Sequence, residues 1–402
     1  MEADYLMIGA GAFGMAFLDE LINSTADITV VVVDKRTKPG GHWNDAYPFV
    51  RLHQPDATYG VNSRTLGQGG ADLASKYQIL AYYEQVMDCL VATGRVFYYP
   101  QCEHVGDGNF VSLLEPELMY EVKVKKKTVD ATRLTTSVPA TTPPQYEVES
   151  GVHIVPINGL TDIKKPWDNY VVIGAGKTGL DALLYLLDQN VDPDKIIWIV
   201  SNDCWYFNRD MAEMENFYVS VTGQMNGILA AESLDEMYEN YEKAGIFMRI
   251  DKSIHPTKMR AATCSPIEME KIGRVHQIVR LGRIVKIEES EILFTTGEKI
   301  PTTKTTLHID CSAAGTSFPP VKKYSMDQPS TFRWFRLLNQ HSVDLSSLLS
   351  RLLFQMTMRR RMIFSGFQDR EDWPRFMKDT MLNAEKFGRV LGIRWLRNRR
   401  LS

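Results

Sequence analysis

Short apolar runs alternate with glycine-rich turns in the first part of the chain. Residues 4–8 (DYLMI) and 28–34 (ITVVVVD) are almost entirely apolar, which is typical of strands buried on both faces of a sheet. Between them, GAGAFG leads into MAFLDELI, which has a helical pattern. The pattern predicts a strand, a tight turn that begins a helix, and a second strand, which together form a βαβ unit.

The same pattern recurs at residues 169–201. The segments NYVVI and DKIIWIVS predict two buried strands, and GAGKTG followed by LDALLYLLDQ predicts a second glycine turn that begins a helix. A chain with two such units binds two nucleotides, or one nucleotide beside a relic of another site. Elsewhere, residues 96–135 alternate as antiparallel strands do around a GDGN turn, residues 211–275 are mainly helical in pattern, and RLGRIVKIEESEILFTTGEKI predicts a hairpin.

Composition narrows this picture. With 402 residues, 44% of them hydrophobic, the chain is long enough for two or three domains with proper cores. The net charge of −3 provides no basic field for nucleic acid or a membrane surface. The five cysteines are scattered, no apolar run approaches the roughly 18 residues of a membrane span, and MEADYLMIGAG leaves no room for a signal peptide. We therefore expect a cytoplasmic protein without a metal site.

Gly9, Gly11 and Gly14 match the dinucleotide-binding fingerprint. The first glycine permits the tight turn, the second lets a pyrophosphate approach the backbone, and the third lets helix and strand pack closely. Asp34 ends the next strand, where a carboxylate accepts hydrogen bonds from ribose hydroxyl groups. The pattern predicts a first site for an adenine dinucleotide with an unphosphorylated ribose.

The second fingerprint has its glycines at Gly174, Gly176 and Gly179. Its second strand ends in Ser201 and Asn202 instead of a carboxylate. Because no acid at this point repels a 2′-phosphate, NADPH is favoured, although the nearby Asp203 keeps NADH open. Lys177 and Arg209 are candidate cationic partners for the phosphate.

Four motifs follow one another along the chain: GAGAFG with Asp34, then PGGHW, GAGKTGLDA and DCSAAGTSFPP. Together they resemble the flavin-dependent monooxygenases related to flavin-containing and Baeyer–Villiger monooxygenases, over most of residues 1–320. The two fingerprints are typical of the wider class of two-dinucleotide flavoproteins, and GG-x-W after the ribose acid is typical of the monooxygenases. The stretch VESGVHIVPINGLTDIKKPW departs from the motif that such enzymes carry there, with Gly151 and His153 as partial matches.

The resemblance implies an α/β fold with two interleaved Rossmann-like domains and with FAD and NADPH as cofactors. An FAD-binding domain is interrupted by an NAD(P)H-binding domain with a helical insertion, so we predict the segments 1–163, 164–304 and 305–402. The last segment ends in a helical tail whose arginines, from Arg389 on, favour a basic surface helix. Ala314 and Gly315 resemble the strand that links the two domains.

Disulfide reductases share this two-domain plan, but they need two neighbouring cysteines that relay electrons from the flavin. Around the glycine pair this chain has HWNDAYPF, and Cys89 and Cys102 lie well downstream. Dithiol chemistry is therefore disfavoured, and the pattern favours chemistry carried by the flavin itself.

The remaining candidate site residues lie beside these motifs. By resemblance, the segment after the glycine pair runs along the flavin, where aromatic and hydrogen-bonding side chains suit an isoalloxazine ring. His53, with an ordinary pKa of about 6.5, is a candidate for proton transfer. The predicted catalytic residues are His53 and Arg209. The predicted cofactor-binding residues are Gly9, Gly11, Phe13, Gly14, Asp34, Lys35, Gly41, His42, Trp43, Gln54, Gly174, Gly176, Lys177, Thr178, Gly179, Ser201, Ala314 and Gly315.

We therefore expect an FAD-dependent oxidoreductase, and within that class an NADPH-using monooxygenase that acts on a small organic substrate through a peroxyflavin. Two alternatives stay open. One is an FAD-dependent dehydrogenase, oxidase or reductase that inserts no oxygen. The other is a non-catalytic protein that senses NAD(P)H and controls a partner through its tail. The expected partner is a small-molecule substrate, with neither nucleic acid nor a membrane involved.

Overall fold

The computed structural model describes residues 1–132, 135–213, 215–313, 315–317 and 331–332. These residues form six α-helices and 22 strands, with short 3₁₀ helices between them. The predictions for Ala314 and for the C-terminal tail lie outside the described residues. Among the helices described, none has the length and apolar character needed to cross a membrane.

The helices are α1 (Ala12–Ser24), α2 (Lys76–Ala92), α3 (Lys177–Asp188), α4 (Phe217–Ala230), α5 (Leu234–Lys243) and α6 (Pro266–Ile272). The strands are β1 (Glu2–Ile8), β2 (Val30–Val33), β3 (Val96–Tyr99), β4 (Cys102–Gly106), β5 (Asn109–Ser112), β6 (Met119–Glu121), β7 (Lys123–Asp130), β8 (Thr135–Ser137), β9 (Glu147–Val148), β10 (Ile154–Pro156), β11 (Asn169–Ile173), β12 (Ile196–Ile199), β13 (Cys204–Asn208), β14 (Phe247–Met248), β15 (Lys258–Cys264), β16 (Gln277–Val279), β17 (Ile284–Ile287), β18 (Glu291–Phe294), β19 (Lys299–Pro301), β20 (Thr306–Asp310), β21 (Gly315–Ser317) and β22 (Thr331–Phe332).

The first sheet has the strand order β22-β7-β1-β2-β3, and all of its pairs are parallel. Strands β1 and β2 pair from Tyr5 with Val30 to Ile8 with Val33, and helix α1 connects them. All four residues of β2 are buried, as a strand covered on both faces requires. The first predicted βαβ unit is confirmed.

The second sheet has the order β10-β20-β11-β12-β16 and is also parallel. Helix α3 connects β11 to β12, which confirms the second βαβ unit. Strand β10 comes from the first predicted segment and β20 from the third, yet both pair within this sheet. Strand β22 then pairs with β7 in the first sheet. The division into domains stays a prediction.

The region between the two units is only partly antiparallel, which corrects the prediction for residues 96–135. Strands β4, β5 and β6 form an antiparallel sheet around the predicted GDGN turn. Strands β3 and β7, by contrast, belong to the parallel first sheet. Alternation of apolar and polar residues indicates a strand with one buried face, but it carries no information on the direction of the neighbouring strand.

The segment predicted as mainly helical also contains strands. Helices α4, α5 and α6 lie within it, but β14 and β15 pair with β13 in a separate three-stranded sheet. The buried side chains of Met259 and Thr263 belong to β15, so tertiary pairing decided the conformation of this stretch. The predicted hairpin after α6 is confirmed by the antiparallel pair β17 and β18.

One hydrophobic core cluster spans both parallel sheets. It contains Met7 and Val32 from the first sheet, Val172 and Trp198 from the second, and Tyr47 from the segment that follows the glycine pair. Because buried apolar surface is continuous between the sheets, the carboxyl ends of β1 and β11, and the glycine turns that follow them, are carried by one core.

Candidate functional site

The first glycine turn joins β1 to α1. Gly9 has a φ of 96°, which favours glycine, and its N–H donates to the carbonyl of Val33 at 2.8 Å. Helix α1 begins after Gly11, and among the described residues no side chain caps it and no acid lies in its first turn. The start of α1 therefore offers backbone N–H groups and the positive end of the helix dipole to an anion.

The third glycine of each fingerprint is required by packing. A Cβ added at Gly14 would lie 2.0 Å from the carbonyl oxygen of Gly9, and one added at Gly179 would lie 2.1 Å from that of Gly174. Both distances are far inside van der Waals contact with backbone, which cannot yield as a side chain does. The role assigned to these glycines from the sequence agrees with the geometry.

Asp34 lies at the end of β2, directly beside the first turn. One carboxylate oxygen accepts from the N–H of Ala10 at 2.6 Å, and the other accepts from the N–H of Arg36 at 2.7 Å. The residue is only 5% exposed. An ionised carboxylate has about four acceptor positions, so these two bonds orient Asp34 and leave capacity for ribose hydroxyl groups. The neighbouring Lys35 points to the surface, where it pairs with Glu103 at 2.6 Å.

The glycine pair at positions 40 and 41 packs against the first turn. Gly40 and Gly41 have φ values of 118° and 58°, and the N–H of Gly40 donates to the carbonyl of Ala10 at 2.8 Å. A Cβ at Gly41 would lie 3.0 Å from the Cα of Gly11. The pair therefore lets a second loop approach the turn that opens α1, which a larger residue at Gly41 would prevent.

Trp43 is part of the protein core. It is 6% exposed, and its Nε1 donates to the hydroxyl of Tyr59 at 2.7 Å. The ring of His42 stacks on it, with ring centroids 5.3 Å apart. This packing fixes the segment that leads to His53, and it supplies the indole with the partner that a buried N–H needs.

The second glycine turn joins β11 to α3. Gly174 has a φ of 116°, and its N–H donates to the carbonyl of Ile199 at 3.0 Å. Helix α3 begins after Gly176 without a side-chain cap from the described residues, and a Cβ at Gly176 would meet no described atom within 4 Å. The hydroxyl of Tyr206 donates to the carbonyl of Ala175 at 2.8 Å, so a side chain of strand β13 contacts and stabilises this turn. The middle glycine thus leaves open space beside uncapped N–H groups.

Lys177 and Thr178 are the first residues of α3. The ammonium of Lys177 bonds to the carboxylate of Asp181, one turn further along, and both side chains are nearly buried. Asp181 also accepts from the hydroxyl of Tyr47, a residue of the segment after the glycine pair. Burial, and then the charge of Asp181, raise the pKa of the Tyr47 phenol well above its usual value, so Tyr47 stays protonated and donates.

Arg209 follows β13 and is 8% exposed. Its Nη2 pairs with Oε2 of Glu268 at 2.5 Å, while its buried Nη1 has no hydrogen-bond partner among the described residues. Burial raises the pKa of Glu268, but the hydrogen bond and charge of Arg209 outweigh burial and lower it overall. The carboxylate is therefore ionised, and the guanidinium keeps an unused donor, as an anion or carbonyl ligand would require.

His53 lies among these charged groups. Burial, followed by the positive charges of Lys177 and Arg209 and by His42, lowers its pKa well below the usual value. The ring is therefore uncharged at neutral pH and acts there as a proton acceptor or a neutral hydrogen-bonding group. The backbone carbonyl of His53 accepts from Thr263 at 3.1 Å, and the adjacent Gln54 is 1% exposed. The structure thus brings His53, His42, Lys177 and Arg209 together.

Ser201 follows β12, beside the end of β16. Sequence reasoning missed Arg280, which comes directly after β16; its Nε donates to both carboxylate oxygens of Asp203, at 3.3 and 3.0 Å. An arginine directly after the apolar residues Ile278 and Val279 was the available signal. Sequence reasoning also missed the partners Asp181 and Glu268. Gly315 lies in β21, which pairs with β8.

Other kinds of site find no support in the described part of the chain. It contains no group of acidic, histidine and cysteine side chains suited to a metal ion. Its five cysteines are all free thiols, and only Cys89 is exposed. A surface cavity of about 500 Å³ lies near the C-terminal end of α3, whereas the second glycine turn lies at the N-terminal end of this helix. Asp192, Glu270 and His276 contribute to the wall of the cavity.

Comparison with known sequences gives relatives without an assigned activity. No family model matches the chain. Uncharacterized proteins from Mycobacterium bovis and from two strains of Mycobacterium tuberculosis are each 44% identical over 338 residues. The match covers 80% of this chain and 62% of each relative, so the chain spans less than two thirds of the curated relatives that it matches.

Comparison with solved structures concerns the fold. An oxidized steroid monooxygenase bound to NADP is 14% identical with a TM-score of 0.50, over 79% of this chain and 71% of that one. A flavin-containing monooxygenase from Stenotrophomonas maltophilia is 13% identical with a TM-score of 0.45, over 79% of each chain. A bacillithiol disulfide reductase from Bacillus cereus is 15% identical with a TM-score of 0.44, over 78% of each chain. The predicted α/β fold with two Rossmann-like sheets is confirmed, and at the level of the fold the chain resembles two-dinucleotide flavoproteins.

Proposed function

We propose that the chain is an FAD-dependent oxidoreductase that uses NADPH, and more specifically a monooxygenase of a small organic substrate. The observation that carries this proposal is the pair of glycine turns, each opening an uncapped helix at the carboxyl end of a parallel strand, on sheets that share one core. One turn suits one dinucleotide, because its N–H groups and helix dipole bind a single diphosphate. Two turns on one core support a reaction between two dinucleotides.

The surroundings of the first turn fit FAD. The diphosphate would lie against the N–H groups that follow Gly11, and the buried carboxylate of Asp34 would accept from the ribose hydroxyl groups. The second turn fits a nicotinamide dinucleotide, because the space at Gly176 is open. When bound, the two cofactors would supply hydride transfer from NADPH to the flavin and electrons for the activation of oxygen.

The residues between the turns have positioning roles in this proposal. The pair formed by Tyr47 and Asp181 connects the segment after the glycine pair to helix α3, which holds the two turns in register. His53 is neutral at neutral pH and is proposed to orient a ligand or accept a proton, while the unused Nη1 of Arg209 binds an anionic or carbonyl oxygen. The aromatic packing around Trp43 helps to exclude water from this space.

The visible spectrum of the purified protein tests the first part of the proposal. We expect the purified protein to show the absorption bands of bound oxidised flavin. On mixing with NADPH under anaerobic conditions in a stopped-flow instrument, the band of oxidised flavin should be lost. A colourless protein that binds NADPH without turnover would instead support a non-catalytic sensor of NAD(P)H. Flavin that NADPH never bleaches would contradict hydride transfer.

Oxygen insertion is tested separately, since the shared fold does not determine it. The motif resemblance supports a monooxygenase, for which the oxygen consumed appears in product in the presence of a substrate. Quantitative release of hydrogen peroxide with every substrate tried would favour the alternative, an FAD-dependent dehydrogenase, oxidase or reductase. Incorporation of labelled oxygen into product, detected by mass spectrometry, distinguishes the two.

A further inference from the structure

The carboxyl ends of β12 and β16 form one edge beside the second glycine turn. The two strands are parallel neighbours, and the N–H of Val200 donates to the carbonyl of Val279 at 2.9 Å. The residues that follow, Ser201 on one strand and Arg280 on the other, therefore lie side by side. In a Rossmann-like domain this edge faces the ribose of the adenosine, so these residues determine which ribose is accepted.

Arg280 is held at this edge by two carboxylates. Its Nε donates to both oxygens of Asp203, at 3.3 and 3.0 Å, and its Nη2 lies 3.8 Å from Oδ2 of Asp251 without a hydrogen bond to any described residue. The side chain keeps 26% of its surface exposed. The guanidinium is thus oriented through Nε, and Nη2 is a buried donor that no described residue uses.

The two acids near the two turns have different electrostatic roles. Among the described residues Asp34 accepts from two backbone N–H groups and has no ion pair, so its carboxylate suits ribose hydroxyl groups better than a phosphate. Asp203 is paired with Arg280, so it does not present an unpaired negative charge. The argument that Asp203 favours NADH therefore loses its basis, and the edge offers donors from Ser201 and Arg280.

The other two candidate cations are engaged elsewhere. Lys177 is bound to Asp181 at the start of α3, and Arg209 is almost fully buried against Glu268. Both lie close enough to His53 to lower its pKa, which places them with the segment after the glycine pair. Neither lies at a strand end next to Ser201, as Arg280 does.

We infer that Arg280 is the residue that selects NADPH over NADH, with Asp203 as the residue that orients its guanidinium. The inference rests on the proposed function, because it assigns a specificity determinant to the second dinucleotide site. Arginine suits this task since its planar fork donates two hydrogen bonds to one phosphate group and stays charged at every relevant pH.

Binding of the oxidised dinucleotides to the flavin-loaded protein tests the inference without any measurement of activity. Isothermal titration with NADP⁺ and with NAD⁺ compares the natural chain with Arg280→Gln. We expect Arg280→Gln to weaken NADP⁺ binding by about 10- to 100-fold, the loss of a charge-assisted contact, and to change NAD⁺ binding by less than about 2-fold. Arg283→Gln is the matched control, because it removes the same charge from an exposed position three residues along. It should leave both affinities unchanged.

Arg280→Lys protects the test against a folding failure of Arg280→Gln. Lysine keeps the positive charge but lacks the planar guanidinium group with its several N–H donors, so NADP⁺ binding should weaken by about 3- to 10-fold. Unchanged selectivity for NADP⁺ in the folded Arg280 variants would overturn the inference, as would tighter binding of NAD⁺ than NADP⁺ by the natural chain. A natural chain that binds neither dinucleotide would overturn the proposed function as well, so the two failures are distinguishable.

Discussion

The two glycine turns have nearly the same backbone and different surroundings. In both, the first glycine has a positive φ, 96° at Gly9 and 116° at Gly174, and the third glycine lies against the carbonyl of the first. At the first turn, Asp34 binds the N–H of Ala10. At the second, no such bond to Ala175 occurs among the described residues, and its carbonyl accepts from Tyr206 instead.

The comparison separates two kinds of information in a fingerprint. The glycines determine the cradle for the diphosphate, because close packing of strand and helix depends on the missing Cβ atoms. The end of the neighbouring strand determines the ribose chemistry, because its side chains lie where the adenosine binds. The middle position differs too, since Gly11 is covered by Gly41 whereas Gly176 faces open space.

The largest expected effect tests what the turns share. Gly14→Ala and Gly179→Ala each place a Cβ about 2 Å from a backbone oxygen. Because helix and strand must separate to make room, we expect each to lower the free energy of unfolding by about 3 kcal/mol, measured by urea denaturation. A loss below about 0.5 kcal/mol in either variant would contradict the packing role of that glycine.

A smaller effect distinguishes the two acids. Asp34→Asn leaves one of its two backbone N–H donors without an acceptor, so we expect a loss of about 2 kcal/mol in stability and a protein that retains less FAD. Asp203→Asn breaks a partly exposed ion pair and should cost less than about 1 kcal/mol. Urea denaturation and the flavin content after gel filtration measure both variants. Equal losses in the two variants would remove the distinction.

The pH dependence of stability probes the space between the turns. The folded pKa of His53 lies below its unfolded value of about 6.5, so the unfolded chain binds more protons as the pH falls below 6.5, and stability falls with it. Between pH 6.5 and 5.5, the free energy of unfolding should fall by about 1 kcal/mol less in the His53→Gln variant than in the natural chain. His308, whose pKa is also lowered by burial, is present in both proteins and cancels in this difference. Parallel curves would show that His53 is not responsible.

The smallest effect on stability is expected at the middle glycine of the second turn. Gly176→Ala adds a methyl group where no described atom lies within 4 Å, at a φ of −82° that alanine adopts freely. The free energy of unfolding should change by less than about 1 kcal/mol, the range of an N-cap substitution. Binding of NADP⁺ should nevertheless weaken by about tenfold or more, because the methyl group occupies the approach of the diphosphate. Unchanged binding would place the dinucleotide elsewhere.

The sequence by itself determined the local part of this protein. Strand β2, the turn at Gly9 and the packing of Gly14 depend on a few successive residues, because backbone sterics and hydrophobic periodicity act over short distances. The same reasoning placed Asp34 beside the first turn, since the strands of a βαβ unit are parallel and their carboxyl ends lie at the same edge of the sheet. It did not reveal the direction of β3 and β7, which depends on pairing across the sheet.

Only the tertiary structure decided the partners of the charged groups. Asp203 and Arg280 are 77 residues apart in sequence, and Tyr47 and Asp181 are 134 apart. No period or spacing connects such residues, because their contact arises when separate segments pack on a common core. The surroundings then decide the chemistry. Burial, and then the charge of Asp181, raise the pKa of Tyr47, and an ion pair removes the repulsion that Asp203 alone would exert on a phosphate.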